Sequence, residues 1–341
     1  MSTQSNSQAK VVLGIDVGGT ATNATVLDEH GHFLVDGMVE VPSRVTEGPA
    51  AALEAVAAAM TLVLETTGVS RSRVLAIGLD TPGPANATGV ISSKGATNFS
   101  DQDWWGYDIR SGVERHVGLP VIYNNDGNAA ALYAHRTLFG EHQYHRSSVS
   151  AIVGTGLGGG VIEKGEVVRG AAGMAGELGH ICIPMPGLLV EGQPIPQCNC
   201  GLYGDVESIA SLTGIRKNLL PFWLTQYPGH PLNAMPIDKA AKAVRGYGED
   251  GDELALKIFD QQAQALGELF TIASNFTDPN AYFVGGGVIE AAPHFRDWFL
   301  DRVRVHTQLR EESAAVAQFA LVTDLDMAGA RGAALAAMHA I

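Results

Sequence analysis

Two aspartates stand where a carboxylate is costly. Asp16 lies between Ile15 and Val17 in an otherwise apolar run, Val11 to Val17, that ends in Gly18-Gly19-Thr20. A carboxylate in such a strand needs a metal or hydrogen-bond donors to offset its desolvation; the plainest alternative is that it caps its own Gly-Gly turn. Asp126 follows the short apolar run Leu119 to Tyr123, inside Asn124-Asn125-Asp126-Gly127-Asn128, and precedes an Ala-rich stretch. Asn and Asp at a strand-to-helix junction are often caps, and for an isolated one that role is the default.

Glycine-rich turns accompany both aspartates. Gly154-Thr155-Gly156-Leu157-Gly158-Gly159 satisfies G-x-G-x-x-G, but a dinucleotide-binding turn must open a helix, and here a strand with a Lys164-Gly165 turn follows. No G-x-x-x-x-G-K-[ST] is present, which excludes a P-loop. What remains is two glycine-rich hairpins whose bare backbone N–H groups can approach phosphate oxygens. Alone, each is a tight turn; with Asp16 and Asp126 beside them, ligand chemistry becomes the better explanation. A third cluster comprises Glu177-Leu178-Gly179-His180 and then Cys198-Asn199-Cys200, Asp205 and Glu207. The cysteines are Cys182, Cys198 and Cys200, and an odd count with a C-x-C pair suits a metal or free thiols better than a disulfide framework.

These groups need elements to hold them. Val11 to Val17 and Ala24 to Leu27 form a hairpin, Ala50 to Glu65 has helical periodicity, Val74 to Leu79 is a buried strand, and Thr81-Pro82-Gly83-Pro84 is a turn. From Val149 the pattern restarts: a strand to Val153, the cluster Gly154 to Gly160, and a strand from Val161. A strand, Gly-rich turn, strand unit therefore occurs twice, an architectural duplication too diverged to be a sequence repeat. A long helix from Asp252 to Asn275, a strand Ala281 to Val284 ending in Gly285-Gly286-Gly287, and an Ala-rich helix from Gly329 to Ala340 follow.

At 341 residues, 46% hydrophobic and 17% charged, the chain is an ordinary globular sequence of two domains or one elaborated α/β domain. A net charge of −14 argues against nucleic acid as a partner. The first ten residues are polar, unlike a secretory signal, and no segment offers about 18 uninterrupted apolar residues, so a cytoplasmic protein without membrane contact is expected.

Taken together, the motifs resemble those of the ROK family of sugar kinases and repressors, which have an actin-like, hexokinase-like ATPase fold. LGIDVGGT is similar to the family's first phosphate motif, GTGLGGG to its second, YNNDGNA to its catalytic strand-helix junction, AGELGH to its E-x-G-H sugar motif, FVGGGV to its adenosine motif and GARGAAL to its closing helix. The resemblance covers nearly the whole chain. It implies an α/β, two-domain, actin-like (ribonuclease H-like) fold with a duplicated strand-hairpin-helix core and an interdomain cleft. The expected division is a disordered tail 1–10, a small domain 11–130 plus 326–341, and a large domain 131–325.

The same resemblance implies ATP-dependent phosphorylation of a neutral hexose, glucose by default. Asp126 would be the catalytic base, and Asn98, Asn125, Glu177, His180 and Glu207 would bind sugar hydroxyls. Gly18, Gly19, Thr20, Thr155, Gly156 and Gly158 would cradle phosphates, Asp16 would hold Mg²⁺ through water, and Gly285, Gly286 and Gly287 would let the nucleotide lie against the backbone. ATP and sugar would meet in the cleft, whose closure excludes water. A homodimer or homotetramer is implied as well.

Three departures stand out. The family's zinc motif usually reads C-x-C-G-x-x-G-C-x-E, and Asp205 occupies its third cysteine position, so either a structural Zn²⁺ is held by His180, Cys198, Cys200 and Asp205, or zinc is lost, Asp205 caps a helix beginning near Val206 and the cysteines are free thiols. The segment between His180 and Cys198 is long and holds Pro184, Pro186, Pro194 and Pro196, and Ala21 stands where a Lys is common. A sugar-sensing repressor of the family would carry an N-terminal helix-turn-helix, for which about ten residues leave no room.

Overall fold

The computed structural model describes residues 9–83, 85–92, 99 and 101–341. Most of the expected tail, and Asn98, lie outside them. The chain divides into two compact units: residues up to Thr137 with Arg169–Ala175 and Asp324–Ile341, and residues Leu138–Val168 with Gly176–Thr323. Arg169–Ala175 thus pack with the first unit although their sequence neighbours belong to the second.

The first unit is built on strands β1 (Val11–Val17), β2 (Ala21–Asp28), β3 (Val39–Pro42), β4 (Val74–Thr81) and β5 (Val121–Asn125), in the order β3-β2-β1-β4-β5. The pairs β1–β2 and β2–β3 are antiparallel, and β1–β4 and β4–β5 are parallel. The second unit repeats this plan with β6 (Ser147–Val153), β7 (Leu157–Glu163), β8 (Glu166–Val167), β9 (Ala281–Gly286) and β10 (Gln318–Leu321), ordered β10-β9-β6-β7-β8 with the same pattern of parallel and antiparallel pairs. The duplication seen in two hairpins therefore extends to all five strands. Lys164 and Gly165 join β7 to β8 with φ of 51° and 80°, the left-handed pair that a two-residue hairpin requires.

Alternation along β1 sorts its side chains. Leu13 and Ile15 are fully buried in a core shared with Val56, Ala59 and Val63 of helix Pro49–Thr67. That helix is long and apolar enough to cross a membrane by length and composition, but these residues give it the place of a core helix. The opposite face of β1 carries Val12, Gly14 and Asp16, paired in register with Ala76, Gly78 and Asp80 of β4. Helix Leu325–Ala340 lies on this face so closely that a Cβ on Gly14 would fall 1.8 Å from the Ala330 carbonyl oxygen, and one on Gly78 1.9 Å from that of Ala333. A Cβ on Gly332 would likewise meet Ala129 O at 1.8 Å. Arg331 secures the helix: its guanidinium lies 5.1 Å from the Phe33 ring and 5.5 Å from that of Tyr133, and it donates to Tyr133 Oη at 2.7 Å.

In the second unit, helix Glu253–Thr277 packs against helix Pro293–His306 through Phe259, Phe295 and Phe299. The long segment after His180 is pinned to it by Gln261, which donates to Gln193 Oε1 at 2.7 Å and to Leu188 O at 3.0 Å.

Two glycine clusters differ from expectation. The turn before β7 covers only Gly154 to Gly156, because Gly158, Gly159 and Gly160 already pair with Ile152, Ala151 and Ser150. Gly159 is needed there by packing, since a Cβ would lie 2.6 Å from Ser150 O and 3.0 Å from Leu178 Cδ1. Likewise Gly285 and Gly286 belong to β9, where a Cβ on Gly286 would fall 2.0 Å from Val153 O and one on Gly285 2.8 Å from Ile152 Cδ1. Only Gly287 leaves room for a ligand, its nearest neighbour being Arg245 Nη1 at 3.7 Å.

Candidate active site

Three carboxylates gather at the carboxyl ends of the first unit's parallel strands, where open α/β sheets place ligands. Asp16 is the penultimate residue of β1, Asp80 that of β4, and Asp126 opens helix Asp126–Phe139 directly after β5. Burial, then the charge of Asp126, push the Asp16 carboxyl up to about 7, opposed by a hydrogen bond from Asn23. Asp80 is 0% exposed, and burial followed by the charges of Asp16 and Asp126 holds it well above the usual carboxylate range. Sequence reasoning missed Asp80 by ending its strand at Leu79. The signal was nevertheless present, since Asp80 ends an apolar run just as Asp16 does.

Around Asp126 the backbone is fixed by local bonds. Asn125 Oδ1 accepts from Gly127 N–H at 2.9 Å and Asp126 Oδ1 from the same N–H at 2.7 Å, so both side chains cap the helix. That commits one oxygen of each and leaves Asn125 its amide NH₂ for a ligand. Arg169, from the segment that crosses to this unit, donates to Asn124 Oδ1 at 2.6 Å and to Tyr123 O at 3.3 Å. Thr81 Oγ1 and Tyr123 Oη, 2.8 Å apart, tie β4 to β5 beside the same junction. Gly18 and Ala21 close the first hairpin, Gly18 N–H donating to Ala21 O at 2.9 Å.

In the second unit His180, Cys198, Cys200 and Asp205 come together, each offering one donor atom within 4.8 Å of all the others. His180 Nδ1 lies 3.2 Å from Asp205 Oδ2 and 3.9 Å from Cys198 Sγ, and Cys200 Sγ lies 3.6 Å from Asp205 Oδ2. Tetrahedral zinc with ordinary bond lengths sets its donors roughly 3.2 to 3.8 Å apart. Separations of 3.2, 3.6 and 3.9 Å lie close to that range, so the donor set suits the ion with small adjustments.

Asp205, 0% exposed, combines two roles: Oδ1 caps the following turn by accepting Ser208 N–H at 2.9 Å, while Oδ2 faces His180 and Cys200. Burial would raise its carboxyl, but hydrogen bonds from His180 and Ser208 outweigh this and hold it low; the same contact with Asp205 raises His180. Burial raises the Cys198 thiol.

Glu177 and Glu207 flank this cluster. Glu177 precedes the short turn Leu178–His180, and burial raises its carboxyl. Glu207 Oε2 accepts the Leu157 N–H at 2.8 Å and would lie 2.6 Å from a Cβ on Gly156, while Cys198 Sγ is 3.3 Å from its Oε1. Glu207 thus links the cysteine loop to the Gly154–Gly159 hairpin, a connection the sequence did not reveal. Thr155 O accepts Thr213 Oγ1 at 2.8 Å, anchoring the hairpin from below.

The chain is 32% identical over 311 residues to the glucokinase of Halalkalibacterium halodurans, a match spanning 87% of this chain and 89% of that protein. Among solved structures, the ROK hexokinase from Thermus thermophilus matches with a TM-score of 0.73 at 30% identity, over 96% of this chain and 97% of the other. A ROK family glucokinase from Streptomyces griseus, solved in complex with glucose and AMPPNP, matches with a TM-score of 0.68 at 29% identity, over 95% and 98% of the two chains. The actin-like α/β architecture expected from the motifs is the one found. With the ROK family model matching residues 12–340, from the first strand to the end of the closing helix, the chain belongs to the ROK family.

Proposed function

We propose that this chain transfers the γ-phosphoryl group of ATP to a hydroxyl of a neutral hexose, glucose first among them. The observation that carries this is the placement of Asp126 at the helix start after β5, beside the carboxylates of Asp16 and Asp80 at the ends of adjacent strands. Phosphoryl transfer asks for such positioning and for neutralised charge more than for covalent chemistry. Asp126 takes the proton of the attacking hydroxyl as its oxygen bonds to the γ-phosphorus. The bond to the β,γ-bridging oxygen breaks, and ADP leaves. Backbone N–H groups of Gly19, Thr20, Thr155 and Gly156 receive the phosphates, whereas that of Gly18 is already given to Ala21 O, that of Leu157 to Glu207, and Gly158 is paired with Ile152 in the sheet. Asp16 would hold Mg²⁺, which would supply positive charge against the phosphates; buried oxygen donors suit that ion. Glucose is favoured by the names of the relatives, which are called glucokinases and ROK hexokinase. ADP release measured across glucose, fructose, mannose, allose and N-acetylated hexosamines tests the reading, and no release with any of them rejects it.

Glu177 and Glu207 accept hydrogen bonds from sugar hydroxyls and move no proton. Glu177→Ala is therefore expected to raise the sugar KM by the loss of a charged hydrogen bond, about 1.5 to 3 kcal/mol, with the KM for ATP unchanged. Glu207→Ala also frees the hairpin it holds through Leu157, and is expected to raise both KM values. Equal ATP KM in the two variants would show that the Glu207 contact does not position the hairpin.

Zn²⁺ held by His180, Cys198, Cys200 and Asp205 is expected at about one per chain in protein purified without added metal or chelator. Cys198→Ser should lose most of it. Because Cys198 touches Glu207, chelation should lower sugar affinity together with stability. Elemental analysis giving less than about 0.2 zinc per chain would reject the site.

A further inference from the structure

We propose that Asp80 is a direct ligand of a divalent cation shared with Asp16, so that the metal site of this chain fills before nucleotide arrives. The inference deepens the role given to Asp16 above and rests on it. Asp16 and Asp80 are paired in register on adjacent parallel strands, so both side chains leave the same face of the sheet about 4.8 Å apart. Their Oδ2 atoms converge: the point where a Cβ on Gly329 would stand is 2.9 Å from Asp16 Oδ2 and 2.8 Å from Asp80 Oδ2. Asp80 is 0% exposed, and apart from its own backbone N–H no described group donates a hydrogen bond to either of its carboxylate oxygens.

The charged groups acting on Asp80 are Asp16 and Asp126, both acidic. On the sheet face Gly14 and Gly78 precede the pair, and on the helix above them stands Gly329; none of the three offers a donor side chain. A buried carboxylate with acidic neighbours and no donor has no structural use of its own, and substituting it would relieve the fold. A hard divalent cation supplies what is missing, a charge to offset two carboxylates and vacant positions for their oxygens. The absence of a side chain at Gly329 keeps a methyl from pressing on both Oδ2 atoms.

The test is titration of the nucleotide-free full chain with Mn²⁺, followed by the loss of the free-ion electron paramagnetic resonance signal, together with melting in EDTA and in Mn²⁺. Wild type is expected to bind one Mn²⁺ in a manner that Asp80→Asn weakens more than about tenfold, the scale of losing one of few ligands. Asp80→Asn should also melt higher than wild type in EDTA and gain little from Mn²⁺, the reverse of what loss of a structural residue does. Gly329→Ala, which pushes a methyl toward both oxygens but removes neither, should weaken Mn²⁺ binding as well. Asp80→Asn binding Mn²⁺ as tightly as wild type, or wild type leaving sub-millimolar Mn²⁺ free, overturns the proposal. The kinase reading fails separately, by absence of ADP release with every sugar while Asp80-dependent Mn²⁺ binding persists.

Discussion

Asp126→Asn is expected to lower kcat by at least about a hundredfold while the fold and sugar binding persist, the scale of losing a general base. The structure makes this a sharp test, because Asp126 also caps its helix, Oδ1 accepting Gly127 N–H at 2.7 Å. Asparagine keeps an acceptor oxygen in that place and is as good a cap. What it lacks is an oxygen that can take a proton from the attacking hydroxyl. Capping and catalysis are thereby separated in one substitution: melting temperature and sugar KM report the cap, kcat reports the base. Turnover within a few-fold of wild type would leave Asp126 with the structural role only.

The largest expected effect on stability comes from a single methyl. Gly78→Ala places a Cβ 1.9 Å from the carbonyl oxygen of Ala333, and that atom belongs to helix backbone with no rotamer to change. Overpacking a core ordinarily costs about 1 to 3 kcal/mol, and here relief requires moving helix Leu325–Ala340 off β1 and β4 as a body. A loss of more than about 3 kcal/mol is expected, a large share of the roughly 5 to 15 kcal/mol that holds a protein folded. Gly246→Ala serves as the control: Gly246 lies inside helix Ile237–Glu249 with nothing within 4 Å of the added atom, and the change should stabilise by about 0.5 to 1 kcal/mol. Urea unfolding measures both, and a Gly78→Ala variant as stable as wild type would sink the account of how the helix docks.

These glycines show where sequence reasoning succeeds and where it stops. Asp16 before a Gly-Gly turn, Asp126 at a strand-to-helix junction and the C-x-C pair near a histidine were legible because each breaks a local pattern: a charge in an apolar run, or a soft ligand spaced for a metal. Asp80 breaks the same pattern, yet it was lost because a strand boundary was set one residue short of it. Gly285 and Gly286 read as places of nucleotide approach, and in the structure a Cβ at either is also excluded by Ile152 and Val153 of β6, more than a hundred residues away, and by Val322 just after β10. A glycine does not say which neighbour excludes its Cβ. The tie from Glu207 to Leu157 N–H and the bond from Arg169 to Asn124 were hidden for the same reason, because each joins segments about fifty residues apart. At Asp205 cap and metal ligand are compatible, since Oδ1 accepts Ser208 N–H while Oδ2 turns toward His180 and Cys200, a division that no spacing in the sequence displays.

The docking of helix Leu325–Ala340 on β1 and β4 also sets a timetable for synthesis. The sheet of the first unit leaves the ribosome early, with the face bearing Val12, Gly14, Ala76 and Gly78 uncovered, and the residues that cover it are made only after the whole of the second unit. At translation rates of about 5 to 20 residues per second that interval lasts on the order of 10 to 40 seconds. During it the growing chain exposes a flat strip of strand that only its own last helix fits, which makes this the stretch of biosynthesis when the nascent protein most depends on chaperones.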